Sequence, residues 1–171
     1  MADNASLRKI FLFRDLSDDE MEELLSRTQT RNIPAETVII EEGETGDSMF
    51  IMLSGEVAIT KRLMLDLDKA TPTERLMARL KAENGIYFEE IALFGEMSLL
   101  ENEVRSATVT ALSECVLIEL HQKDFLDLIQ HRPVLGVKLL LRLAQGLSER
   151  LRKTSKDVVK LTSALAISLG G

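Results

Sequence analysis

The sequence is poor in cysteine and histidine, has no apolar run of membrane length and no cluster of basic residues. Each scarcity excludes something. One cysteine cannot close an internal disulfide, and Cys115 lies in Cys115-Val116-Leu117-Ile118-Glu119-Leu120, which reads as a buried strand. A small buried thiol of this kind fits a reduced, cytoplasmic chain. No apolar stretch approaches the ~18 residues of a membrane span, so no membrane partner is expected. Asp3 precedes Arg8 and Lys9 without a long apolar core behind them, which is not a secretory signal. The formal charge of -7, with acids interspersed among the bases, disfavours a direct nucleic-acid surface. A small anion is different, because one arginine in a pocket can serve it. His121 and His131 are the only histidines, too few for a metal-dependent cupin site, and no nucleophile-base or carboxylate-pair spacing is present. The expectation is therefore a protein that is not an enzyme and holds no metal or cofactor.

What is present is the material for one domain: 171 residues, 45% of them apolar. Ser17-Asp18-Asp19-Glu20 is a capping box, and a short helix to about Arg27 should follow it. From Thr37 onward short β-rich runs at 38–40, 49–53 and 57–60 are separated by Gly43, Gly46 and Gly55. Thr71-Pro72-Thr73-Glu74 repeats the capping signature and Asn84-Gly85 supplies a stop, which predicts an inserted helix over about 72–83, packed on the roll or lying over its mouth. Strand-like runs resume at 86–88, 107–111 and 116–120. The predicted fold class is mainly β with flanking helices: a jelly-roll-like β-roll, or double-stranded β-helix, over 1–132. A long helix from about Pro133 closes it, over 133–171.

That helix carries a heptad seam: Leu140, Ala144, Leu147, Leu151, Thr154, Val158, Leu161 and Leu165 alternate spacings of four and three. Pairing with its own copy would cover the whole stripe, so a homodimer through 140–165 is expected.

The stretch Phe94-Gly95-Glu96-Met97-Ser98-Leu99-Leu100-Glu101-Asn102-Glu103-Val104-Arg105-Ser106-Ala107-Thr108-Val109 carries the chemistry. A cyclic phosphodiester has one negative charge, and Arg105 can offer its two exocyclic oxygens parallel donors. A helical turn over Met97 to Leu100 would present free N–H groups to the same anion. Glu96 can accept from a ribose 2′-hydroxyl, and Gly95 permits close backbone approach. The stretch resembles the phosphate-binding cassette of the cyclic-nucleotide-binding domain family, of the catabolite activator and kinase regulatory-subunit type. Glu42-Gly43-Glu44-Thr45-Gly46-Asp47-Ser48-Met49 through Val57 is similar to that family's glycine-turn hairpin.

The resemblance implies Glu96 as ribose ligand and Arg105 as phosphate ligand, with Ser98 and Ser106 near the phosphate. It also implies that the purine rests against the helix after the roll, where Thr154 and Ser155 lie. The implied ligand is a 3′,5′-cyclic nucleotide, cyclic AMP foremost. Its capture would order the cassette, shift Leu99 and Leu100 and repack the helices from Gln122 onward. In transcription factors of this type a helix-turn-helix follows the long helix; here the sequence ends at Gly171, so a stand-alone sensor module is expected. Two other readings are a degenerate roll serving as a dimerisation scaffold and a regulatory piece of a larger transcription factor, channel or enzyme.

Overall fold

One strand of 16 residues organises the roll. A computed structural model describes residues 7–63, 73–83, 86–87, 93–101 and 103–169. Among the described residues the strands are β1 (Gln29–Ile33), β2 (Val38–Ile40), β3 (Ser48–Leu63), β4 (Thr73–Glu83), β5 (Ile86–Tyr87), β6 (Leu93–Phe94), β7 (Thr108–Ala111) and β8 (Cys115–His121). They pair antiparallel. The first half of β3 lies between β8 and β6, and from Gly55 onward the same strand lies between β4 and β7. The runs at 49–53 and 57–60, separate in the sequence reading, are thus one strand that passes from one face of the roll to the other. A register shift between Met52 and Ser54 takes up the bend.

The inserted helix predicted over 72–83 is not formed. Residues 73–83 are β4, laddered against β3 from Leu63↔Thr73 to Gly55↔Ala82. Leu80 and Ala82 are buried while Arg79 and Lys81 face outward, so the segment has a period of two where it meets the roll. The pairing partner decides the outcome: a strand of matching length removes backbone groups from water along its whole edge, and this outweighs local capping chemistry. A bulge between Ile59 and Thr60 leaves Met77 as the extra residue and exposed. The helical lid over the mouth of the roll falls with the helix. Thr71, Pro72, Asn84 and Gly85, with Met64, Leu65 and Phe88, lie outside the described residues.

Two apolar clusters follow from the alternation along β3 and β8. Phe50, Met52, Val57, Cys115 and Leu117 point into the roll with Ile40, Phe94 and Val109. Met49, Ile51, Ile118 and Leu120 point the other way, onto the helices. Burial pushes the Cys115 thiol up, as befits an inert core residue. The helices are α1 (Asp18–Ser26), α2 (Glu96–Leu100), α3 (Gln122–His131) and α4 (Pro133–Leu169), preceded by a 3₁₀ turn at Phe11–Phe13.

The expected capping box starts α1: Ser17 Oγ accepts from Glu20 N, and Glu20 Oε2 accepts from Ser17 N at 2.8 Å. Glu20 also accepts from Lys138 Nζ at 2.6 and 2.7 Å, which staples α1 to α4. Arg27, at the end of α1, pairs with Glu23 of its own helix and with Asp127 of α3. In α4, Leu135, Leu139 and Leu143 recur every fourth residue and are buried against Phe125 and Leu128 of α3. Beyond Arg150 the helix leaves the body, and every described side chain from 151 to 168 is exposed.

Candidate functional site

The cassette residues converge on a cavity of about 240 Å³ in the side of the roll. That is just below the ~300 Å³ at which pockets for drug-sized ligands begin, and so suits a small ligand lying partly open to solvent. Ile40, Ile59, Phe94 and Val109 form its apolar floor, and Phe94 is held by stacking on Phe50 at 5.4 Å. Gly95, Glu96, Met97, Ser98, Arg105 and Ser106, all read from the sequence, line its polar side. Leu147 and Arg150 of α4 close it.

Gly95 makes the arrangement possible. Its φ of +80° is left-handed, and a Cβ there would fall 2.8 Å from Arg105 Nη1 and 2.9 Å from the Ser48 carbonyl oxygen. Only glycine lets the chain turn into α2 so close to the arginine. No side chain caps the start of α2.

Arg105 is 8% exposed. Its Nη1 donates to the Ser48 carbonyl at 2.7 Å and to the Gly95 carbonyl at 3.4 Å, and its Nη2 donates to Ser48 Oγ at 3.2 Å. Its backbone is pinned to the glycine turn: Arg105 N donates to Glu44 O, Gly43 N donates to Arg105 O, and Val104 bridges Thr45. Among the described residues no carboxylate forms an ion pair with the guanidinium. Burial lowers its pKa, and the more distant negative charges of Asp47 and Glu119 oppose that. A buried cation satisfied only by neutral acceptors is what an incoming anion would stabilise. Glu101 and Glu103 are exposed, so solvent screens their charge from the site.

Glu96 is 5% exposed and pairs with Arg150, whose other amino group donates to the Leu93 carbonyl. Sequence reasoning missed Arg150. It lies one helical turn before Thr154, on the helix expected to meet the ligand, but nothing local tells which turn faces the cassette. Ser48, part of the glycine-turn hairpin, is the residue that seats Arg105. Ser98 is buried, Ser106 is exposed and reaches Met97 Sδ at 3.9 Å, and Met97 is half-exposed. Thr154 and Ser155 are exposed on α4, beyond Arg150, and do not line the cavity. His121 ends β8 beside Asp47, at 3.3 Å, and His131 ends α3 by donating to the Asp127 carbonyl at 2.9 Å. Among the described residues no group of three His, Cys, Asp or Glu could hold a metal, and no helix is long and apolar enough to cross a membrane.

The family model described as cyclic nucleotide-binding domain matches residues 30–132, more than half of the chain. The chain belongs to the cyclic nucleotide-binding domain family. The match takes in every cavity residue except Leu147 and Arg150, which α4 contributes. This cyclic nucleotide-binding domain is 31% identical over 138 residues to the cyclic AMP receptor protein of Thermus thermophilus, covering 81% of the chain and 57% of that protein. It superposes on a cyclic nucleotide-binding domain from Methylobacillus flagellatus with a TM-score of 0.75 at 28% identity, covering 91% of this chain and 79% of that one. The regulatory domain of Toxoplasma gondii PKA with cyclic AMP is similar at 32% identity and a TM-score of 0.56, over 71% of this chain and 41% of that one. The chain spans less than two thirds of the length of the curated relatives it matches.

Proposed function

We propose that this domain is a sensor for a 3′,5′-cyclic nucleotide, cyclic AMP foremost, and that occupancy is signalled through α4. The observation that carries the reading is Arg105: a buried guanidinium on a cavity wall, hydrogen-bonded to Ser48 and Gly95 and paired with no carboxylate among the described residues. The phosphate exchanges those neutral acceptors for two charge-assisted bonds in a site shielded from water. Gly95, Met97, Ser98 and Ser106 surround the phosphate. Glu96 takes the ribose 2′-hydroxyl.

Glu96 is also the anchor of Arg150. A ribose hydroxyl that claims one carboxylate oxygen therefore competes with, or re-aims, the ion pair by which Arg150 joins α4 to the cassette. Occupancy then shifts the balance between two placements of α4, to the extent that the ligand binds one better than the other. The exposed stripe of Leu151, Val158, Leu161 and Leu165 pairs with a second copy, and Thr154 and Ser155 meet the base across that dimer. The buried free thiol suits a reducing compartment, and so a cytoplasmic protein.

Isothermal titration and thermal unfolding with cyclic AMP, cyclic GMP and a cyclic dinucleotide test the reading. At ~100 times its dissociation constant the ligand should add about 2.7 kcal/mol, raising Tm by about 5–10 °C. Arg105→Ala should weaken binding by about 100-fold or more while the protein stays folded. No shift with any nucleotide, or wild-type affinity in Arg105→Ala, refutes the site and leaves the roll as a scaffold.

A further inference from the structure

The cassette touches the helical side of the molecule at a residue that no part of the ligand site uses. Gln122 is the first residue of α3, and it joins two segments. Its backbone N donates to the Asp47 carbonyl at 2.6 Å, next to Ser48, which seats Arg105. Its side-chain Nε2 donates to the Leu99 carbonyl at 3.1 Å, one of the carbonyls that the last turn of α2 leaves without a helical partner. The Leu99 side chain is fully buried in the cluster that contains Phe125 and Leu128 of α3 and Leu135 of α4. One side-chain amide therefore ties the end of the cassette helix to the start of α3 over an apolar contact, and the same residue's backbone ties α3 to the strand that seats Arg105.

We propose that Gln122 is a positioning residue that carries ligand occupancy from the cassette into α3 and α4. The inference rests on the cyclic-nucleotide reading and adds the route by which the helices are informed. The apolar cluster that Leu99 shares with α3 would by itself let α2 slide over α3. A hydrogen bond from the Gln122 amide to a fixed carbonyl does not, because it fails once misaligned. Ordering of α2 by a phosphate on Arg105 therefore moves the N-terminus of α3 with it. From there the motion passes through Arg132 and Pro133 into α4, whose Arg150 returns to Glu96. Cassette and helices form a closed ring in which Gln122 is the link opposite the ion pair.

The test uses Gln122→Met and Gln122→Glu in the full chain. Both keep the side-chain length and lack the donor. Glu at the first turn of α3 also favours the helix dipole, so that variant keeps the helix even if the methionine variant loosens it. Binding of cyclic AMP is measured by isothermal titration, and amide hydrogen exchange is followed with and without cyclic AMP. Both variants should bind within about tenfold of wild type and still show ligand protection across 93–106. The ligand-induced change over 122–131 and 133–150 should fall to less than half of the wild-type change. A change over those helices equal to wild type in both variants overturns the role of Gln122 alone. Wild-type protein that binds no cyclic AMP overturns the function reading and the inference with it.

Discussion

Gly46→Ala should weaken ligand binding by about 10²–10³ while costing the fold only about 1 kcal/mol. The guanidinium of Arg105 lies across Gly46, so that a Cβ built there falls 2.5 Å from Arg105 Nη2 and closer still to its Nε and Cζ. The obstructing atoms are the movable end of a side chain, and Gly46 does not have the left-handed backbone that would strain an alanine. Arg105 will therefore swing off Ser48 before the turn gives way. Stability loses three hydrogen bonds from a charged donor and regains the hydration of a cation whose burial lowers its pKa; the net cost is about 1 kcal/mol. Binding loses the paired, water-shielded charge itself, about 3–4 kcal/mol, or about 10²–10³ in Kd.

Gly43→Ala is the mirror control. Its φ of +89° puts strain of about 1–2 kcal/mol on alanine, but nothing lies within 4 Å of the added Cβ. That variant should melt earlier and bind within about threefold of wild type. Urea unfolding and titration with cyclic AMP on both proteins separate the two effects. Wild-type affinity in Gly46→Ala, or equal loss of affinity in both variants, refutes the placement of Arg105.

Three further outcomes follow from contacts outside the cassette. Glu20 is held below its ordinary carboxylate value by the Lys138 hydrogen bond and by the Ser17 N–H, so its contribution is present above pH 4.5 and lost as pH falls through the lower native value. Glu20→Gln keeps the capping box and removes the charge. It should cost about 1 kcal/mol at pH 7 and nothing at the acid end, and a pH-independent difference would contradict the ion pair. Arg150→Ala leaves Glu96 buried without its cation and should lower Tm by about 2–8 °C in ligand-free protein; an unchanged Tm would mean that the Arg150 pair does not help to hold α4. Leu161 is 65% exposed, so Leu161→Glu should leave the chain's own stability within about 0.5 kcal/mol but give monomers in light scattering. A persistent dimer would place the interface elsewhere.

The parts of this molecule that were legible in its sequence are those whose chemistry is local. The Ser17 capping box is complete within four residues, and it formed as read. The cassette from Gly95 to Ser106 is contiguous, so the residues that line the cavity's polar side could be named together. The segment 73–83 was misread for the opposite reason. Its cap signal is local, but its fate is set by β3 ten to thirty residues earlier in the chain, and the alternation that marks it as a strand is confined to Leu80 and Ala82. Arg150 stands 54 residues from Glu96. The heptad stripe marks one face of α4, and the family resemblance implied Thr154 and Ser155 near the base, but which turn meets the cassette depends on how Leu135, Leu139 and Leu143 seat the helix.

If occupancy is signalled through α4, as proposed, the half of α4 that leaves the body acts as a lever. Its fulcrum is the Arg150 pair, and from there to Leu169 it runs about 28 Å at ~1.5 Å per residue. A tilt of about 10° at the fulcrum carries the tip about 5 Å, close to one helical turn. Side chains in the cavity need to move only a fraction of that distance. Whatever lies along the far end of the helix is shifted by a whole row of side chains, and an interface between packed rows takes up such a step as one register or the next.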